Sequence, residues 1–307
     1  MDSVNKNLKI EFIDEHDMLG MTELSDQNLI AQAIQRELVD NSGTPYLKVT
    51  VRPVYYNESE VMYYVAYLIN KHISRFEAVR FEISNDGALK NVIRNYDDAD
   101  DYDHAGTTYD MLGDDDYQFV AGTAFPDVPS ALKAVNDMVD AAKAAGLKAI
   151  ALIGKDATIA NYKKYLTAKL KGFCNVGHGN DLSILLHDGS LSYQWFNTLA
   201  AGGLSPEVVY FNSCQTFNNP LGASVTTHGS RTYIAGKVDL PIPTSEQMTA
   251  SFWQTILSDK TALMGATLTK KMKDFGLVDD FGLSGDAGKF TATTFANPVH
   301  HRERVMA

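Results

Sequence analysis

The chain has little cysteine and no long apolar run. Of its 307 residues only Cys174 and Cys214 are cysteines, too few for a disulfide framework. No stretch approaches the roughly 20 apolar residues that a membrane-spanning helix needs. The first ten residues lack the basic and apolar segments of a signal peptide. These absences predict a cytoplasmic protein with free thiols and no membrane partner.

Positive charge is also in short supply. The chain carries 27 Lys and Arg residues against 38 Asp and Glu residues, a formal net charge of −11. Nucleic-acid binding needs a basic face, so the composition predicts no nucleic-acid partner. Hydrophobic residues make up 45% of the chain, which excludes wholesale disorder and is enough for one large domain or two modest ones.

Much of the negative charge lies in residues 97–116. Nine of these twenty residues are Asp and none is Lys or Arg, a composition typical of a solvated loop or linker. Ca²⁺ binding is the alternative, but the best EF-hand frame, from Asp101, places Ala105 and Leu112 where ligands are needed. We therefore use 97–116 as a domain boundary and predict no metal site and no cofactor, with Ca²⁺ left open.

Before this boundary, residues 1–96 form an α/β region of unknown role. The pattern predicts a helix over 24–39, a strand over 46–55 with Pro53 suggesting a sheet edge, and a strand over 76–83. Asn57 and Glu60 resemble a capping box, and Val61, Tyr64, Val65, Leu68 and Ile69 fit the stripe of a helix. The region could extend the main sheet, cover the active site or bind a partner.

After the boundary, strands and helices alternate. Strands are predicted over 117–125, 148–154, 172–176, 208–211 and 231–238, with 148–154 as a central strand, and a hairpin over 182–193. Helices are predicted over 128–145, 156–170, 244–257 and 261–275, the second capped by Asp156 and the third opened by a Thr244–Gln247 capping box. This alternation predicts a mostly parallel sheet with helices on both faces, followed by a tail over 291–307.

Two strand ends carry reactive side chains. In open α/β sheets, chemistry lies just beyond the carboxyl ends of the strands. The strand over 172–176 leads to His178, and the strand over 208–211 leads to Cys214. If these strands are neighbours, the imidazole and the thiol face one crevice, where histidine can hold a thiolate and protonate a leaving amine. The amides of Gly179, which has no side chain, and Cys214 could form an oxyanion hole.

The motifs FCNVGHG at 173–179 and VVYFNSCQT at 208–216 resemble those of the caspase-like (clan CD) cysteine peptidases, a clan that includes CHAT, clostripain-like and gingipain-like proteins. KDAT at 155–158, residues 233–257 and GLSGD at 282–286 resemble flanking segments of the same clan. The resemblance implies a caspase-hemoglobinase-like fold over 117–290, with 1–96 as an N-terminal α/β extension. The chain departs from the clan's pattern at Asn212-Ser213, and it lacks the Trp that commonly follows the fifth strand in CHAT proteins.

Carried over to this chain, the resemblance implies a cysteine endopeptidase with a Cys–His dyad. Cys214 would attack the scissile carbonyl, His178 would protonate the leaving amine, and the amides of Gly179 and Cys214 would hold the oxyanion. Asn212 and Asp239 stand where the clan lines its substrate pocket, and a carboxylate there favours Arg or Lys, unless Lys237 neutralises it.

Other interpretations stay open. A catalytically silent caspase-like module acting in protein–protein interaction is the first alternative, and a different thiol acyl-transfer enzyme is the second. A protein or peptide is the expected partner, and the sequence gives no oligomeric state. Cys174, in mid-strand, is expected to be core packing.

Overall fold

The structure, a computed structural model, describes residues 5, 8–13, 24–57, 60–84, 86–97 and 116–290. Its strands form a six-stranded sheet, a five-stranded sheet and a two-stranded hairpin. Residues 98–115 and 291–307 lie outside the described residues, as does the Ca²⁺ alternative. The domain boundary at 97–116 and the tail therefore stay predictions.

The five-stranded sheet belongs to the N-terminal region and has the order β1-β2-β3-β4-β5. Its strands are β1 (Lys9–Phe12), β2 (Tyr46–Asn57), β3 (Glu60–Asn70), β4 (Phe76–Ile83) and β5 (Leu89–Arg94). Helix α1 (Leu24–Ile34) continues into a π-helical stretch, Gln35–Val39, and the two together match the helix predicted over 24–39. Strand β2 is internal, but β1 pairs with it only up to Val51, so Pro53 lies beyond the end of that ladder.

The six-stranded sheet has the order β13-β12-β11-β8-β6-β7 and is parallel except for β13. Its strands are β6 (Phe119–Thr123), β7 (Ala149–Ile153), β8 (Gly172–Val176), β11 (Val208–Asn212), β12 (Thr232–Gly236) and β13 (Phe281–Gly285); the hairpin is β9 (Ser183–Leu185) with β10 (Ser190–Ser192). Every residue of β6, β8, β11 and β12 is buried, as expected of strands covered on both faces. The predicted mostly parallel α/β fold is confirmed.

Six helices surround this sheet in the described residues. They are α2 (Pro129–Ala144), α3 (Ile159–Thr167), α4 (Tyr193–Thr198), α5 (Leu221–Thr227), α6 (Thr244–Ser258) and α7 (Met264–Asp274). Two predicted helix starts are wrong. Thr158 rather than Asp156 caps α3, accepting a hydrogen bond from the Asn161 amide at 3.2 Å. Helix α6 follows Pro243 without a side-chain cap, so the Thr244–Gln247 capping box does not form.

Two sheet predictions also need correction. Strand β7, predicted to be central, is the edge strand beside β6. An apolar run indicates that a strand is covered by helices, and β7 is indeed covered by α2. It does not indicate how many strands lie beside it. Strand β13 falls on the GLSGD segment, which the pattern gave no strand because glycine and serine are weak strand formers.

The largest difference is β3, which was predicted to be a helix. Its odd residues, including Tyr63, Val65 and Tyr67, face the core of the six-stranded sheet, whereas Ala66 and Leu68 face the cluster under α1. Because both faces are buried, apolar residues fill nearly every position and also match a helical stripe. Strand length and the β-branched and aromatic content were the better guide.

The β3–β4 hairpin brings the N-terminal sheet onto the main domain. Ile69 and Phe76, on either side of its turn, belong to the same hydrophobic core as β8 and β11. We name residues 71–75, which connect the two strands, the β3–β4 turn. The turn reaches the carboxyl ends of β8 and β11, which is where the sequence places its reactive residues.

A buried carboxylate in the α2–α6 interface provides a stability prediction. Glu246 is 1% exposed, and burial raises its pKa to about 7 although the Ser130 side chain hydrogen-bonds to it. The folded protein therefore holds a proton that the unfolded chain releases above about pH 4.5, so this group lowers stability as pH rises from about 4.5 to 7. A pKa shift of this size corresponds to a loss of about 3 kcal/mol in the free energy of unfolding above pH 7.

Glu246→Gln replaces the buried acid with a neutral side chain of the same shape. We expect the variant to be more stable than wild type by up to about 3 kcal/mol at pH 8 and nearly equal to it at pH 4.5, measured by urea unfolding. Glu37→Gln, which removes an exposed carboxylate, is the control. An equal stability difference at both pH values would show that Glu246 does not cause the effect.

Candidate functional site

His178 and Cys214 leave adjacent strands at the same level. Strands β8 and β11 pair in parallel, and their last register pair is Val176 with Asn212. His178 and Cys214 each follow two residues later. The structure thus brings the two predicted residues to neighbouring strand ends on one edge of the sheet.

The space between these strand ends is filled by the β3–β4 turn. The carbonyl oxygen of Ser74 accepts hydrogen bonds from the amides of Gly179 and Cys214, at 2.9 Å and 3.1 Å. These are the two amides that the sequence analysis assigned to an oxyanion hole. They converge on one carbonyl oxygen, which is the geometry that such a hole requires.

The turn also pairs with the chain that follows β12. Ser74 donates its amide to the Leu240 carbonyl at 3.0 Å, and the Ile242 amide donates to the His72 carbonyl at 2.9 Å. Ile73 lies opposite Pro241 in this short antiparallel bridge. Residues 72–74 are therefore held as an added strand, a common mode of peptide recognition.

His178 is buried beside the same turn. Its Nδ1 lies 3.1 Å from the Arg75 carbonyl oxygen, which can only accept, so Nδ1 carries the proton and donates it. The ring packs edge-on against Phe125 with centroids 4.5 Å apart. Burial lowers the pKa of His178 to about 4; the Arg75 carbonyl opposes this shift and Lys48 adds to it. The imidazole is neutral at pH 7 in this state.

Cys214 is fully buried beneath the turn. Its sulfur accepts a hydrogen bond from the Leu240 amide at 3.0 Å. Burial raises the pKa of the Cys214 thiol, an effect that the Leu240 amide only partly offsets. Among the described residues no hydrogen bond joins this sulfur to His178. The chain's own turn occupies the crevice between the two strand ends, and both groups rest uncharged.

Buried hydrogen bonds fix the loop that carries Cys214. Tyr162 donates to Asn175 at 2.7 Å, and Asn175 donates to the Ser213 hydroxyl at 2.9 Å. Thr216 donates its hydroxyl to the Ser213 carbonyl at 2.9 Å. Gln215, directly after the cysteine, has a φ of 60°, so the chain turns sharply there. This network holds the Cys214 amide where it meets Ser74.

The two predicted pocket residues differ in their surroundings. Asp239 accepts a hydrogen bond from Gln215 at 2.8 Å, and its other oxygen lies 3.4 Å from the guanidinium of Arg75. Lys237 pairs instead with Asp279 at 2.6 Å. Asn212 is fully buried, and its side-chain oxygen and nitrogen have no partner among the described residues. The structure thus places Asp239 beside the turn and Asn212 inside the core.

An open cavity of about 420 Å³ lies near Phe125 rather than over Cys214. Its lining includes Phe12, Lys48, Leu186 and His187.

The described residues contain no group of three His, Cys, Asp or Glu side chains that could hold a metal ion. In the same part of the chain, no helix is long and apolar enough to cross a membrane.

Sequence reasoning missed the groups that complete the site. Ser74, Arg75 and Leu240 contribute through main-chain amides and carbonyls, which every residue possesses. No residue type in the sequence marks such contacts. Phe125 was findable in principle, because it follows β6 at the same edge of the sheet as His178.

Fold and site together define an α/β protein with a thiol and an imidazole at adjacent parallel strand ends. No family model matches the chain, and no curated protein matches it significantly. Among solved structures, the chain is similar to the complex of Porphyromonas gingivalis RgpB pro- and mature domains and to the Arg-specific cysteine proteinase gingipain R. Both are 14% identical with a TM-score of 0.47 and cover 60% of this chain.

A third similar structure, titled a protease, is 10% identical, with a TM-score of 0.44 over 58% of this chain. The match spans about half of each of these proteins: 52% and 51% of the two gingipain chains and 49% of the third.

Proposed function

We propose that the chain is a cysteine endopeptidase that uses Cys214 and His178. One observation carries this proposal: two amides converge on a single carbonyl oxygen, and the amides belong to the candidate nucleophile and to the residue after the candidate acid. A peptide carbonyl bound in this way is polarised, and negative charge developing on its oxygen is stabilised. The bound peptide is the chain's own, so the site accepts a peptide main chain.

The proposed reaction follows the position of each group. The Cys214 thiol gives its proton to His178, and the thiolate attacks the carbonyl carbon whose oxygen lies on the two amides. The resulting imidazolium donates that proton to the nitrogen of the leaving amine as the peptide bond breaks, and an acyl-enzyme forms. Neutral His178 then takes a proton from the water that attacks the thioester, and returns it to the thiolate that leaves. These reaction steps require a Cys214 thiolate. Because burial raises the pKa of the thiol, Cys214 must be less buried during the reaction than it is in the structure.

The carboxylate of Asp239 favours substrates that carry a basic residue. This carboxylate already lies 3.4 Å from a guanidinium, and Lys237 is paired elsewhere. We propose that Arg or Lys in a substrate would use this carboxylate. The position of that residue relative to the scissile bond is part of what the experiment below reports.

A catalytically silent module that acts in protein–protein interaction is the second candidate. The complete burial of Cys214 and the raised pKa of its thiol favour it. In that case the turn would be a permanent part of the fold rather than an occupant of a working site.

The experiment is active-site labelling combined with a substrate profile. The purified full chain is profiled on a positional-scanning fluorogenic peptide library, with and without Ca²⁺, and is then treated with a peptidyl acyloxymethyl ketone bearing Arg. We expect slow hydrolysis, because residues 71–75 fill the cleft and must move before a substrate binds, with the label found by mass spectrometry on Cys214 and not on Cys174. Hydrolysis that continues in fully labelled protein, or a label confined to Cys174, would contradict the proposal.

A further inference from the structure

The β3–β4 turn makes main-chain contacts of the kind that a bound peptide makes. Its carbonyl at Ser74 lies on the two converging amides, and residues 72–74 pair with residues 240–242 as an antiparallel strand. Ser74 is 1% exposed, so its side chain is enclosed by the site rather than merely resting on it. The contacts involve the groups proposed for catalysis and not a neighbouring surface.

The side chain after Ser74 adds a charged contact. Arg75 places its guanidinium 3.4 Å from Asp239 and its carbonyl 3.1 Å from His178 Nδ1. The Nδ1 proton of His178 is thus held by a carbonyl oxygen of the turn. The same turn therefore occupies the oxyanion amides, the acid and the acidic side chain of the site.

We propose that the β3–β4 turn is an intramolecular pseudosubstrate: it binds in the peptide cleft in a substrate's register and keeps Cys214 covered until it is displaced. Calling the turn a pseudosubstrate rests on the proposed function, because only a peptidase has a substrate that the turn could imitate. The covering itself is independent of catalysis and can be tested without any turnover.

The geometry also explains why the occupant is not consumed. The amide nitrogen of Arg75 would be the leaving group if the Ser74 carbonyl were attacked, but it donates to the Ile73 carbonyl at 2.7 Å, and the next residue begins β4. An amine anchored in this way stays beside the acyl group and can re-form the bond. We expect wild-type protein to be intact between Ser74 and Arg75.

Ser74→Pro is the variant that tests the covering. It removes the amide that donates to Leu240 and leaves that buried carbonyl without its partner. The Arg75 amide donates to the Ile73 carbonyl at 2.7 Å, and Ser74 has no positive φ, so Ser74 is the centre of an inverse γ-turn, whose φ of about −75° proline can adopt. Ser74→Ala keeps the amide and is the matched control. Arg75→Ala, which removes only the Asp239 pair, provides a milder second variant should the proline variant fold poorly.

The readout is the rate at which iodoacetamide alkylates Cys214 in the native protein, followed by mass spectrometry. Cys174, equally buried in mid-strand, is the internal gauge of global unfolding. We expect alkylation of Cys214 to rise about tenfold or more in Ser74→Pro and a few-fold in Arg75→Ala, with Ser74→Ala and all Cys174 rates unchanged.

The outcomes separate the covering from the chemistry. Faster alkylation of Cys214 together with faster peptide hydrolysis supports both proposals. Faster alkylation without hydrolysis supports the covering and contradicts the proposed function. Unchanged alkylation of Cys214 in both variants, a parallel rise at Cys174, or wild-type protein found cut between Ser74 and Arg75 would overturn the pseudosubstrate.

Discussion

Cys214→Ala is expected to lower peptide hydrolysis by at least about 10³-fold, whereas Cys174→Ala keeps kcat near the wild-type value. Both cysteines are fully buried, so the pair controls for simple loss of a buried thiol. Cys174 lies in mid-strand, paired with Ala121 and Tyr210, and burial raises the pKa of its thiol. Its removal costs packing, about 1 kcal/mol of stability, but removes no group from the cleft.

The measurement is kcat/KM on the best peptide of the library, made in the Ser74→Pro background as well as in wild type, so that the turn does not limit access. Thermal unfolding of each variant shows that the protein is folded. Equal loss of activity in the two alanine variants would mean that stability, and not the thiol of Cys214, sets the rate.

Gly179→Ala is expected to lower kcat by about 10²- to 10³-fold, the usual cost of losing one oxyanion donor. A Cβ at this position would lie 2.7 Å from the Ser213 Cβ and 2.8 Å from the Thr216 Cγ2. These distances are too short for carbon atoms, so the Gly179 segment and the Cys214 loop must separate. The two amides would then no longer converge on one oxygen.

The same substitution should loosen the turn, because Ser74 loses one of its two donors. We expect alkylation of Cys214 to become faster while hydrolysis becomes slower and Cys174 stays protected, whereas ordinary destabilisation would speed alkylation of both buried cysteines. Gly276→Ala is the control. Gly276 has a φ of 72° and open space around it, so alanine there introduces backbone strain without any contact with the site. Retention of kcat in Gly179→Ala would remove its amide from the mechanism.

The main sheet could be predicted because its strands are short, apolar and separated by helices. Strands β8 and β11 were located to within about a residue, and this was enough to place His178 and Cys214 at strand ends. That the two strands are neighbours was a condition of the sequence argument, and the parallel pairing of β8 with β11 in the structure meets it. Local pattern carried this part of the fold because each strand lies next to a helix in sequence and is buried on both faces.

The N-terminal hairpin could not be predicted in the same way. Strand β3 is buried on both faces by partners distant in sequence, so its composition satisfied a helical pattern equally well. With β3 assigned to a helix, no hairpin and no turn were available to reach the cleft. The contacts that fill the cleft are then made by main-chain atoms of Ser74 and Leu240, for which side-chain chemistry gives no signal.

Asn212 shows a second limit of sequence reasoning. The clan resemblance assigned its position to a pocket wall, and the structure shows the side chain fully buried with both polar atoms unpartnered among the described residues. Alternation along β11 alone could not indicate this, because every residue of that strand is buried.

The turn that fills the cleft is the tip of a hairpin whose two arms are paired from Tyr64 with Phe81 to Ile69 with Phe76. Lys71 and His72 are exposed, so an external protease can reach the tip. A single nick there would sever the covalent link but leave each arm bonded within its sheet and anchored in its core. The molecule would become a two-fragment complex in which residues 72–74 are tied to the chain at one end only, so they would leave the cleft at a lower free-energy cost than the intact turn does.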